Sequence, residues 1–159
     1  MKKSVRILTL LLSFVTFLSV GSVKAKPKII TVGLTIGSAE TTVNGERQAS
    51  LELPIFIEKG RTMVPIRFPS EAFKIHVEYD AQTKKIFLTL SGTKIEMELD
   101  KNVAYVNSKQ LSIDSPPFVK KPEWRTVLPI RFIMETFGAT VSWDPDLHKA
   151  TIVYELPEE

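Results

Sequence analysis

Residues 61–88 return, altered, at residues 125–152, and this recurrence constrains the fold more than any other feature of the chain. With a shift of 64 positions and no gap, Arg61, Thr62, Pro65, Ile66, Arg67 and Phe68 fall on Arg125, Thr126, Pro129, Ile130, Arg131 and Phe132. Glu71, Phe73, Val77, Asp80 and Lys85 fall on Glu135, Phe137, Val141, Asp144 and Lys149, and Tyr79 meets Trp143. Upstream the match continues one residue out of register: Val43-Asn44-Gly45 meets Val106-Asn107-Ser108, and Pro54 meets Pro117. The expected organisation is an internal duplication with halves near 29–90 and 93–154. Only Ser91-Gly92 separates them, too short for a flexible linker, so residues 26–92 and 93–159 are expected as two repeats of one fused unit.

Each half reads as the same string of elements. A first strand (29–36; 93–99) leads to a short hairpin at Asn44-Gly45 or Asn107-Ser108, where both turn positions tolerate positive φ. After a proline-marked loop, an extended run (61–64; 125–128) meets Pro65 or Pro129, which suit the opening of a short helix over 66–73 or 130–137. Ile130, Ile133 and Phe137 then lie on one helical face, and Gly138 supplies a left-handed stop. In the first half Lys74 replaces that glycine and Pro69 enters the opening turn, so its helix is expected to be shorter and less well capped. Two strands close each half, 75–79 with 85–90 and 139–143 with 150–154, alternating in polarity as half-buried strands do. Asp80 and Asp144 open the connecting turns, where a carboxylate can accept backbone N–H bonds. The fold class is α+β: two tandem β-rich repeats, with antiparallel sheet packed on one short helix per repeat.

The N-terminus sets the compartment. Lys2, Lys3 and Arg6 precede an apolar run from Ile7 to Val20, then Gly21 and Val23-Lys24-Ala25. This is the layout of a secretory signal peptide over residues 1–25, and the apolar run is shorter than the roughly 18–20 residues that span a bilayer. The expected location is secreted or cell-surface, with no membrane span after cleavage. Removing residues 1–25 takes four positive charges and no acid, leaving 17 basic against 18 acidic side chains. The basic pI thus belongs to the leader, and a nucleic-acid partner loses its electrostatic basis. The chain has no cysteine. In a compartment that permits disulfides, stability must come from packing alone.

Chemistry is sparse. The absence of thiols excludes cysteine nucleophiles and thiolate metal sites. The two histidines, His76 and His148, occupy different places in the two halves, and there is no Gly-rich phosphate loop and no zinc-helix motif. His76, Glu78 and Asp80 alternate along one strand and could in geometry face one ion; Asp144, Asp146 and His148 cluster near the second turn. A solvated strand face and a polar hairpin explain both sets, and no catalytic residue, metal or cofactor is assigned. The recurring arginines are the better candidates. Arg67 and Glu71 stand four apart, as do Arg131 and Glu135, which fits ion pairs tying helix to strand. The alternative is that Arg61, Arg67, Arg125 and Arg131 display guanidinium forks to an anionic or carbohydrate ligand, with Trp124 beside Pro122 either adding a stacking surface or packing into the interior.

At Arg61-Thr-Met-Val-Pro-Ile-Arg-Phe68 and Arg125-Thr-Val-Leu-Pro-Ile-Arg-Phe132, followed by Glu135-Thr-Phe-Gly-Ala-Thr-Val-Ser-Trp-Asp144, the chain resembles the copper amine oxidase N-terminal-like domain, a stalk-domain family of bacterial exported proteins. Tyr105-Val-Asn107-Ser-Lys109 and Pro116-Pro117 also fit. The resemblance covers nearly all of residues 26–159. It implies an α+β fold and an accessory module outside the cell. In the oxidase the chemistry lies in a separate domain with three copper-binding histidines and a tyrosine-derived quinone. Here there are two histidines, and none of Tyr79, Tyr105 and Tyr154 follows an asparagine. The expected function is therefore non-catalytic binding at the envelope, to cell-wall polysaccharide; the alternatives are a structural domain that docks to an envelope protein and, last, a metal- or amine-dependent enzyme.

Overall fold

The computed structural model describes residues 28–156; the expected signal peptide lies outside the described residues. The chain forms β1 (Ile29–Thr35), β2 (Thr41–Val43), β3 (Glu46–Arg47), β4 (Phe56–Glu58), β5 (Arg61–Pro65), α1 (Phe68–Phe73), β6 (His76–Asp80) and β7 (Lys85–Leu90). It continues as β8 (Thr93–Glu98), β9 (Val103–Val106), β10 (Lys109–Ser112), β11 (Phe118–Lys120), β12 (Arg125–Pro129), α2 (Ile130–Thr136), β13 (Thr140–Asp144) and β14 (Lys149–Glu155). The fold is mostly antiparallel sheet with two short helices, each following a strand that carries the Arg-Thr-x-x-Pro sequence.

Strands from the two stretches are mixed in every sheet. One sheet runs β13-β14-β1-β2-β3, a second β10-β9-β8-β7-β6, and the third β11-β12-β5-β4. The first thus joins the closing hairpin of the second stretch to the opening strands of the first; the second sheet does the reverse. In the third, β5 pairs antiparallel with β12 so that Val64 faces Leu128, flanked by Met63 against Pro129 and Pro65 against Val127. Val64 and Leu128 are themselves matched by the 64-residue shift, so this ribbon is centred on a local two-fold relation.

One core follows from the mixing. Val32 and Leu34 of β1, Ile86 and Leu88 of β7, Ile95 and Met97 of β8, and Ile133 and Met134 of α2 are buried in a single cluster with Phe73 and Tyr154. Full burial of each such side chain contributes about 1.5–3 kcal/mol. A small satellite of Leu53, Met63 and Val127 lies under Phe56 and Phe118.

The turns follow local chemistry. Asn44 and Gly45 have φ of 51° and 84°, Asn107 and Ser108 of 47° and 70°, as the hairpin signal requires. Each asparagine also bridges back to the strand before its hairpin: Asn44 Oδ1 accepts from the Thr31 N–H and Asn107 Oδ1 from the Lys94 N–H, both at 2.8 Å.

The start of the first helix corrects the sequence reading. Both prolines end their strands, and Pro129 is also the N-cap of α2, which opens at Ile130 as expected; beyond Pro65 the ladder continues, Ile66 N–H donating to Thr126 O at 2.9 Å. α1 begins only at Phe68, and Pro69 sits in its first turn, where its missing N–H costs nothing. α1 is shorter than α2, six residues against seven. Lys74 nevertheless takes the left-handed position itself, with φ 60°, as Gly138 does with φ 89°.

Candidate functional site

The four arginines lie at the two ends of the β5–β12 ribbon. Arg61 opens β5 and Arg125 opens β12; because the strands run antiparallel, each is carried to the opposite end from the other. Arg61 is ion-paired through Nη2 to Asp114, and Arg125 through Nε to Glu52. Both pairs cross between the two stretches.

Arg67 and Arg131 stand at the helix openings and behave differently. Arg131 Nη1 donates to Glu135 Oε1 at 3.2 Å and to the Val141 carbonyl of β13 at 2.7 Å. This is the expected i, i+4 pair, with a strap from helix to strand added. Arg67 was expected to pair with Glu71 and does not: its Nη1 donates to Glu52 Oε1 at 2.7 Å. Glu52 already holds Arg125, so one carboxylate serves both arginines at that end, and the double attraction outweighs a single helical pair. Arg67 remains 73 % exposed.

The structure therefore gathers the arginines in twos, Arg67 with Arg125 about Glu52, and Arg61 with Arg131 in one cleft. That cleft, of about 270 Å³, is lined by Arg61, Asp114, Ser115, Arg131, Phe132 and Glu135, among others. Its guanidinium groups face carboxylates, so it presents donors and acceptors with little net charge. Trp124 joins neither group. It sits in the turn before β12, 65 % exposed, with Lys121 Nζ 4.6 Å from its ring centre.

Glu52 and Asp114 were not singled out from the sequence. Both lie in the loops between hairpin and central strand, but in the upstream register that sets Pro54 on Pro117, Glu52 falls on Ser115 and Asp114 on Leu51, so the matched positions carried no signal for them.

The other candidate clusters dissolve into local bonding. His76 Nε2 contacts Glu78 Oε1 at 2.8 Å. Asp80 turns into its own turn, accepting from the Gln82 N–H at 2.8 Å and the Thr83 hydroxyl at 2.7 Å. Asp144 likewise accepts from the N–H groups of Asp146 and Leu147, both at 3.0 Å. Elsewhere on the second sheet Glu96 accepts from the Lys85 amine at 2.7 Å, and that bond raises the Lys85 pKa above its usual 10.5. Among the described residues, no group of three His, Cys, Asp or Glu could hold a metal ion, and no helix is long and apolar enough to cross a membrane.

No curated protein and no solved structure gives a significant match to the chain. A family model does, over residues 18–88 and again over residues 47–152. Those spans contain both Arg-Thr-x-x-Pro strands, both helices and the arginine pairs just described. By that match the chain belongs to the copper amine oxidase N-terminal domain family, a non-catalytic domain.

Proposed function

We propose that this protein is an exported, non-catalytic binding module of the cell envelope, built by duplication of one β-rich unit with a helix in each copy, and that it grips cell-wall polysaccharide. The observation that carries the reading is the arrangement of the arginines at both ends of the β5–β12 ribbon. Each is anchored by a carboxylate yet leaves N–H donors toward solvent, with Arg67 the most open. Anchored side chains lose less entropy when they bind. Their paired charges favour a hydroxyl-rich polymer over a naked anion, which would have to compete with Glu52 or Asp114. Two related sites on one rigid body would also bind a repeating polymer with avidity.

The test is co-sedimentation of the purified protein with cell walls stripped of protein. Saturable binding is expected, with loss in the Arg67→Ala, Arg131→Ala double variant while circular dichroism stays native. Exposed ion pairs contribute about 0–1 kcal/mol each, so the variant should remain folded. Undiminished binding in the double variant would retire the arginines as contacts. A second reading, docking to an envelope protein, draws on the open edge strand β13, which carries half-exposed Trp143. It becomes the better account if walls capture nothing.

A further inference from the structure

The two helix–strand grooves, α1 against β6 and α2 against β13, contain matched positions but differ in one respect. The second is filled and the first is open. In the second, Arg131 folds inward to the Val141 carbonyl and Glu135, and Met134 is fully buried. Ile130 and Val141 are buried beneath them. In the first, Arg67 is drawn away to Glu52, and Ser70 stands at the position of Met134. Their counterparts Ile66 and Val77 are only partly buried. The result is a cleft of about 380 Å³ lined by Ile66, Arg67, Ser70, Glu71, Val77 and Tyr79, within the size range of small-ligand pockets.

We infer that this groove is a saccharide subsite for one neutral pyranose ring of a glycan, and that its counterpart beside α2 is closed. This rests on the polysaccharide reading above and says where on the surface a sugar sits. Tyr79, 45 % exposed, supplies an aromatic wall, and Val77 and Ile66 an apolar floor for the C–H face of the ring. The rim supplies the complementary polar groups. Arg67 donates from the guanidinium N–H groups not used by Glu52, Glu71 accepts, and the Ser70 hydroxyl does either. Glu71 makes no ion pair among the described residues, so its carboxylate is available to ring hydroxyls. Arg67 and Arg125 share the single Glu52 carboxylate, and Glu71 supplies the second negative charge, so the groove has no surplus positive charge to hold a phosphate or uronate polymer.

Two substitutions isolate the groove. Ser70→Met gives it the filling that the second groove has, and Tyr79→Ala removes its wall; Tyr105→Ala, on a different sheet face, is the control. The full chain and these three variants are co-sedimented with protein-free cell walls, at low and high salt. Stacking and hydrogen bonding to one ring are expected to make the loss about tenfold or more in affinity for both groove variants, with the control unchanged and binding insensitive to salt. If wild type binds and both groove variants bind equally well, the subsite is overturned while the wall reading stands. If binding collapses at high salt, the ligand is an anionic wall polymer and the neutral-sugar assignment is overturned. If wild type does not bind walls at all, the wall reading fails and takes the subsite with it.

Discussion

Asp80 shows how much work one side chain does in a turn. Its carboxylate accepts from the Thr83 hydroxyl and from the Gln82 and Thr83 amides, and these bonds hold its pKa below the ordinary 3.8, Lys85 adding a smaller attraction. The folded state therefore releases the proton more readily than the unfolded chain. The stabilisation is present in full above the ordinary carboxylate pKa and is lost as pH falls through the lowered folded value. Asp80→Ala should lower the thermal midpoint at neutral pH, and the gap from wild type should close progressively in acid, below the ordinary value. A gap that stays constant down to the acid limit would mean that the turn does not depend on the ionised carboxylate. The same bonds give Asp80 the turn-holding role expected of it, whereas His76 Nε2 contacts Glu78 Oε1.

At the scale of elements, hairpins, helix stops and the start of α2 were legible in the sequence, and the start of α1 was not. Asn44-Gly45 and Asn107-Ser108 declare themselves because positive φ at two successive residues is a strong steric filter. Gly138 marks the end of α2 for the same reason. Pro65 misled because a proline suits a helix opening and a strand end equally well, and the ladder bond that carries the chain past it, from Ile66 to Thr126, comes from β12, far along the sequence. Lys74 is the instructive exception. It occupies a left-handed cap that costs an ordinary L-residue about 1–2 kcal/mol, part of which a glycine would give back as unfolded-chain entropy. Lys74→Gly is accordingly expected to stabilise the protein by up to about 1 kcal/mol, read from urea unfolding. The mirror change, Gly138→Lys, should cost a similar amount. No gain from Lys74→Gly would mean that the Lys74 side chain, whose amine lies 3.4 Å from the Glu71 carbonyl, offsets the strain. Arg67 belongs to this scale too. A pattern four residues long suggested Glu71 as its partner, whereas the competing acid came from the loop before β4 and could be found only in three dimensions.

For the whole molecule the decisive relation is the way the sheets close. β7 passes to β8 through the two-residue turn Ser91-Gly92, with Leu90 opposite Thr93, and both turn residues have positive φ, 47° and 80°. At the matching place β14 lies antiparallel to β1, Ile29 opposite Glu155, and the Leu156 N–H donates to the Lys28 carbonyl at 2.9 Å. The two junctions are alike in pairing and differ in covalent connection. Neither 28–92 nor 93–156 alone contains all the strands of either five-stranded sheet, so each half by itself should be unfolded by circular dichroism. A circular permutant should behave differently. Joining Leu156 to Lys28 by a short glycine-containing turn and opening the chain between Ser91 and Gly92 exchanges the roles of the two junctions and leaves every strand pair in place. Chains with adjacent ends tolerate such rearrangement. The permutant should fold to one cooperative state, with tryptophan fluorescence and circular dichroism melting together. Its stability should fall by no more than the difference between the two turns. If it instead melts in two separated steps, or only one half acquires structure, then the β7–β8 turn is a required nucleus and the two junctions are not interchangeable, however similar their strand pairing.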